Sequence, residues 1–156
     1  MFGFFKRKLR EVKAPADGEI VALESVNDEV FSQKLIGDGV AILPVSNIFS
    51  APIDGTITKI FSTNHAYSIK SSKDLEVMVH IGLDTVDLNG AGFERLAKEG
   101  DKVVCGDEII RVDLDTLREY AKDIITPIII SDESDVKSIE KKLNIVKSGD
   151  IIMEVS

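Results

Sequence analysis

One short segment occurs twice in this chain: APADGEIVAL at Ala14 to Leu23 returns as APIDGTITKI at Ala51 to Ile60. Each copy sets Pro and Asp-Gly ahead of a β-rich run, the chemistry of a turn that feeds a strand. A second echo links EGDKVVCGDEIIRV at Glu99 to Val112 with VKSGDIIMEV at Val146 to Val155, where Gly-Asp again precedes an apolar run. Duplicated short strands with such turns predict an all-β fold, an antiparallel β-sandwich or barrel built from two similar halves. Only GAGFERLAKEG, with Phe93, Leu96 and Ala97 on one side, and LDTLREYAKD at Leu114 to Asp123 read as helices. Both are short, so helices decorate the sheets and do not form the core.

With 156 residues, 44% of them hydrophobic, the chain can bury one core, and a single domain over residues 14–156 is expected. Four of the 19 basic groups fall in the first ten residues, which hold no acid, so the remainder sets 15 basic groups against 27 acidic ones. Such a body repels nucleic acid and can be steered toward a basic partner. Met1 to Arg10, MFGFFKRKLR, places Phe2, Phe5 and Leu9 at helical spacing among those basic groups, a pattern that can lie weakly on an anionic membrane surface. A helix this short is marginal in water, so residues 1–13 read as a mobile leader. One cysteine, Cys105, excludes an internal disulfide, and no stretch approaches the roughly 20 apolar residues needed to span a bilayer. Without an apolar signal segment the expected compartment is the cytoplasm.

Both histidines lie between Phe61 and Phe93. LEVMVHI at Leu75 to Ile81 partly alternates and reads as a strand that His80 closes. Ala66 to Ile69 reads as a second strand, preceded by Thr63, Asn64 and His65, and SSKD at Ser71 to Asp74 is a hairpin loop between them. Antiparallel pairing would bring His65 near His80, although the pattern leaves the register open. A neutral imidazole held through one nitrogen offers the lone pair of the other to phosphorus or to a metal. Gly82 would let its carbonyl turn back toward the His80 ring, and Thr63 is the nearest hydroxyl able to fix the tautomer of His65. A second imidazole can donate to developing phosphoryl charge. A lone histidine in a strand is ordinarily a satisfied polar group, and the pair narrows that alternative without removing it.

TNHAYSI, followed by EVMVHIGLDTVDLNGAGF, closely resembles the glucose-type enzyme IIA of the bacterial phosphoenolpyruvate-dependent sugar phosphotransferase system. The likeness runs from about Ala14 to the C-terminus and takes in APADGEI, DEVF, GDGVAI, APIDGTI and ITP at Ile125 to Pro127. The resemblance implies a phosphoryl carrier in which His80 takes the phosphoryl group on Nε2, His65 assists transfer and Thr63 orients that ring. It implies the small phosphocarrier HPr as donor and the enzyme IIB domain of an enzyme IIB/IIC sugar permease as acceptor. It also implies an apolar rim for docking, on which Val30, Phe31, Phe61 and Val86 fall, with Asp84 placed to meet a partner's positive group. Val30 and Phe31 read equally well as core. Met78 stands where an aromatic is common in the family. Zinc held by His65 and His80 and completed by a partner's carboxylate is optional, and no cofactor is required. A transient interface on an acidic body favours a monomer.

Two other classes compete with the carrier. A self-contained metallohydrolase lacks ligands, because the chain has only two histidines and no HxH or HExxH spacing. A biotinyl or lipoyl carrier would display a modified lysine at a hairpin tip, and Lys73 lacks the flanking signature. No Gly-rich phosphate loop of the Walker type is present, so direct use of a nucleotide is unsupported. Cys105 reads as a structural or bystander thiol.

Overall fold

The structure is a computed structural model and describes residues 9–72 and 74–156. The apolar and basic pattern of residues 1–8 and the candidate Lys73 lie outside the described residues. In chain order the elements are β1 (Arg10–Lys13), β2 (Gly18–Ala22), α1 (Glu29–Ser32), β3 (Gly37–Pro44), β4 (Ile48–Ser50), β5 (Gly55–Ile60), β6 (Ala66–Lys70) and β7 (Glu76–His80). There follow β8 (Phe93–Arg95), β9 (Lys102–Val103), β10 (Glu108–Val112), α2 (Leu114–Tyr120), β11 (Thr126–Ser131), β12 (Ile139–Lys141), β13 (Ile145–Val146) and β14 (Ile151–Val155). Single 3-10 turns occupy Leu23–Ser25 and Thr85–Leu88.

All strand pairs among the described residues are antiparallel. Eight strands form one sheet in the order β13-β2-β3-β11-β7-β6-β5-β9, and two three-stranded sheets run β1-β14-β12 and β4-β10-β8. One buried cluster takes Val12 from β1, Phe49 from β4, Ile110 from β10 and Ile152 from β14, together with Ile42, Ile69, Val79 and Ile128 of the large sheet. The small sheets therefore cover one face of the large one, which makes a sandwich. Tyr67 is fully buried between the layers, and its hydroxyl donates to the Ser50 carbonyl at 2.6 Å, the partner that burial of a phenol requires.

The duplicated segments form a two-fold arrangement. Lys13 N–H donates to Pro52 O and Ser50 N–H donates to Pro15 O, at 2.9 and 2.8 Å, so each repeat receives the residue that precedes the other. Ala14 N–H meets Asp150 O, and Ala51 N–H meets Asp107 O. The carboxylates of the Asp-Gly pairs complete the pattern: Asp17 accepts from Ser148 N–H at 2.8 Å and Asp54 from Cys105 N–H at 2.7 Å. The Gly-Asp echoes are thus the turns each repeat docks against. The glycines are needed for a close approach, because a Cβ at Gly18 would stand 2.2 Å from Leu43 O and one at Gly55 would stand 2.3 Å from Lys70 O. Ser148 fills in one half the place Cys105 fills in the other, so nothing in the fold calls for the thiol, whose pKa burial pushes up.

Three expectations need correction. Phe93–Arg95 is a strand paired with β10, not part of a helix. Gly90 and Gly92, at φ +90° and +86°, break any helix there, and the open edge of β10 captures the segment. Arg10–Lys13, expected to belong to a mobile leader, is a strand paired with β14, and Val12 is wholly buried. The second helix forms but ends at Tyr120, short of Asp123; Asp113 caps its start by accepting from Asp115 and Thr116 N–H. No helix among the described residues is long and apolar enough to cross a membrane.

Candidate functional site

The hairpin of β6 and β7 places Ala66 opposite His80. Along β7 burial alternates, so His80 and Met78 share the outer face while Val77 and Val79 enter the core. His65, one residue before β6, receives Ile81 N–H on its carbonyl at 2.7 Å, which extends the pairing past the strand ends. The two rings lie with centroids 4.9 Å apart and planes at 79°.

Each ring is held through Nδ1. His80 Nδ1 is 2.8 Å from Gly82 O. A carbonyl only accepts, so Nδ1 carries the proton and Nε2 keeps its lone pair. Gly82 sits at φ +75°, and a Cβ there would stand 2.6 Å from Thr85 Cγ2 and 2.9 Å from Asp123 O. Buried Thr85 donates to Ile81 O at 2.6 Å and Leu83 N–H donates to Asp123 O at 2.9 Å, clamping the turn that presents the Gly82 carbonyl. His65 Nδ1 lies 2.5 Å from Thr63 Oγ1. When that hydroxyl donates, His65 retains its proton on Nε2 and becomes a hydrogen-bond donor.

A second buried cluster, Leu23, Val26, Phe31, Ala41, Leu83, Ile125 and Ile129, packs with Met78. Its Phe31 ring lies 5.0 Å from His80, and Phe61 lies 5.3 Å from His65. α1 separates the two residues that the sequence left between core and rim: Phe31 is 5% exposed against the imidazole, whereas Val30 is 44% exposed. Val86 is also exposed, on the 3-10 turn that follows Asp84. Thr63, His65, His80, Phe31 and Phe61 are therefore brought together, while Val30, Asp84 and Val86 face solvent. Asp28 was not singled out from the sequence. It caps α1 by accepting from Val30 N–H at 3.0 Å, and its charge reaches His80; an Asp before a short apolar turn was the available signal.

Burial lowers the pKa of both histidines. For His65, desolvation and then the neighbouring His80 bring it down to about 4. For His80, desolvation is the larger effect and outweighs the opposing pull of the Gly82 carbonyl, Asp28 and Asp84. At neutral pH both rings are uncharged, one an N-nucleophile and the other a donor. Because the folded His65 binds its proton more weakly than the unfolded one, its contribution to stability is full at pH 7 and is lost as pH falls from 6.5 toward about 4. Denaturant unfolding at pH 7 and 4.5 is expected to show a loss of about 2–3 kcal/mol in the parent that is missing from His65→Gln. Equal acid sensitivity of the two proteins would contradict it.

Among the described residues no group of three or more His, Cys, Asp or Glu side chains could hold a metal. The imidazole pair supplies two nitrogens where zinc takes about four ligands, so the chain alone does not fit a closed or catalytic zinc site.

An antiparallel sandwich of duplicated halves, bearing two touching neutral imidazoles beside exposed apolar side chains, defines a class of β-protein that pairs two histidine rings at the end of a hairpin. Residues 10–136 match the family model described as phosphoenolpyruvate-dependent sugar phosphotransferase system, EIIA 1, and the chain belongs to that family. It is 46% identical over 150 residues to a PTS system glucose-specific EIIA component of Buchnera aphidicola subsp. Acyrthosiphon pisum (strain APS), covering 96% of this chain and 93% of that one. It is 41% identical over 146 residues to a PTS system N-acetylglucosamine-specific EIICBA component of Klebsiella pneumoniae, covering 94% of this chain and 22% of that one. The solved structure of glucose permease IIA from Mycoplasma capricolum superposes with a TM-score of 0.92 at 39% identity, covering 99% of each chain.

Proposed function

We propose that this chain is a phosphoryl carrier that takes phosphate from phospho-HPr on His80 Nε2 and passes it to the enzyme IIB domain of a glucose-type sugar transporter. The observation that carries the reading is the His80 Nδ1 bond to Gly82 O at 2.8 Å, which frees Nε2, beside a second imidazole 4.9 Å away. The Nε2 lone pair forms an N–P bond as the donor's P–N bond breaks and its electron pair returns to the donor nitrogen. His65, oriented by Thr63, donates to the phosphoryl oxygens, where positioning and electrostatics supply most of the catalysis. In the second step the acceptor's nucleophile forms its bond to phosphorus and the electron pair returns to His80.

Val30, Phe61 and Val86 give partners an apolar landing around the rings, backed by Phe31, which is buried against His80, and Asp84 beside it suits a basic partner group. The fusion of an EIIA-like region within an EIICBA relative supports the enzyme IIB and IIC assignment. Residues from Arg10 onward act as one domain, monomeric between encounters and cytoplasmic. Zinc, where present, is shared: His65 and His80 supply two ligands and a partner's carboxylate a third.

Incubation with HPr carrying labelled phosphate on histidine tests the reading. The chain is expected to take up label in a bond that is acid-labile and alkali-stable, as a phosphoramidate is. No uptake, or label that survives acid, would defeat it.

A further inference from the structure

The loop that carries His65 belongs to the large sheet, yet a side chain from the opposite layer braces it. Arg95, the last residue of β8, donates from Nε to Asn64 Oδ1 at 2.9 Å and from Nη2 to the Phe61 carbonyl at 3.3 Å. These acceptors mark the two ends of the turn: Phe61 opens it and Asn64, at φ +62°, immediately precedes His65. We propose that Arg95 is a positioning residue for His65, holding the Phe61–His65 turn so that Thr63 and the imidazole keep their places against His80. The inference rests on the reading of His65 as the group that steadies the phosphoryl in transit.

Among the described residues, the main-chain hydrogen bonds of the turn join Phe61, Asn64 and Ala66. Phe61 N–H donates to Ala66 O and Asn64 N–H donates to Phe61 O, at 2.9 and 2.7 Å, while Thr63, the residue that orients His65, lies between. A left-handed asparagine costs backbone energy and persists where its surroundings fix it. The guanidinium supplies that restraint, because its planar fork meets a side-chain oxygen and a main-chain oxygen at once, which a lysine ammonium cannot do with the same geometry. Arg95 is itself held in register, opposite Ile110 of β10. The turn at Gly90, which leads into β8, also backs onto the Thr63 carbonyl, 3.8 Å from where a Cβ would stand. The restraint is geometric: the guanidinium bonds Asn64 Oδ1 and the Phe61 carbonyl, the residues that bracket Thr63, and makes no contact with the ring itself among the hydrogen bonds of the turn.

The test compares the parent, Arg95→Ala, His65→Gln and the double variant in single-turnover acceptance from phospho-HPr and onward transfer to the enzyme IIB domain. Arg95→Ala is expected to accept within about twofold of the parent and to pass phosphate on about tenfold more slowly, the scale of a small misplacement of a catalytic group. In the His65→Gln background the same change is expected to alter onward transfer less than about twofold, since the ring it positions is gone. Equal losses in both backgrounds would overturn the proposal, assigning the guanidinium directly to the phosphoryl, the partner or the fold. A readout independent of transfer is the ¹⁵N signals of the two imidazoles: those of His65 should move in Arg95→Ala while those of His80 stay. Unmoved His65 signals would overturn the proposal whatever the rates. A parental onward rate in His65→Gln alone would instead overturn the reading of His65.

Discussion

His80→Ala is expected to abolish phosphorylation of the chain by phospho-HPr, with acceptance falling by on the order of 10⁴-fold or more, the scale on which loss of a covalent nucleophile registers. No other group is equipped to replace it. His65 is buried to 4% exposure, and Thr63 occupies its Nδ1. Cys105 is the one cysteine, with a pKa that burial raises, so little thiolate forms. The variant should fold, because His80 is half-buried and its loss removes one hydrogen bond and two ring contacts, together worth about 1–2 kcal/mol. Label counted on the folded variant should be at background. Stoichiometric label on His80→Ala would assign the phosphoryl group to another residue and end the account.

His65→Gln is expected to separate the two half-reactions. In acceptance His80 Nε2 is still free to attack, because the Gly82 carbonyl holds Nδ1 whether or not His65 is present. Onward transfer leans on this chain, whose His65 ring is fixed by Thr63 at 2.5 Å and by its edge-on packing against His80. Glutamine keeps an N–H but is flexible and loses that fixed aim. Removal of an aligned donor from a developing anion costs roughly 10²–10³-fold. Acceptance near the parental rate with onward transfer slowed by about 100-fold is therefore the expected pattern. Parental rates in both steps would remove His65 from the mechanism.

The duplicated AP-x-DG segments made the sandwich legible, because Asp-Gly placement answers to local sterics: Asp17 and Asp54 bond equivalent turns, and Gly18 and Gly55 abut neighbouring carbonyls. The hairpin carrying His80 was legible for a similar reason, since alternation along Glu76 to His80 fixes a strand whatever surrounds it. What depended on distant partners was not legible. FER at Phe93 to Arg95 looks helical by spacing and becomes a strand only because β10 offers an edge. α1 is one turn long, too short to leave a periodicity, and it alone decides that Phe31 faces His80 while Val30 faces solvent. The Arg95 brace joins residues 31 positions apart from two different sheets, a contact no local pattern encodes. Register, too, came from the fold: alternation allowed the histidines to face each other, and the pairing of Ala66 with His80 brings them together.

The claim on which the rest depends is that the Gly82 carbonyl reserves Nε2 of His80 for phosphorus, and the nitrogen-phosphorus coupling pattern of the phosphorylated, ¹⁵N-histidine-labelled protein reads it directly. The account predicts one phosphoryl group, on His80 Nε2, with Nδ1 still protonated. A phosphoryl group on Nδ1 of His80, or on either nitrogen of His65, would contradict it.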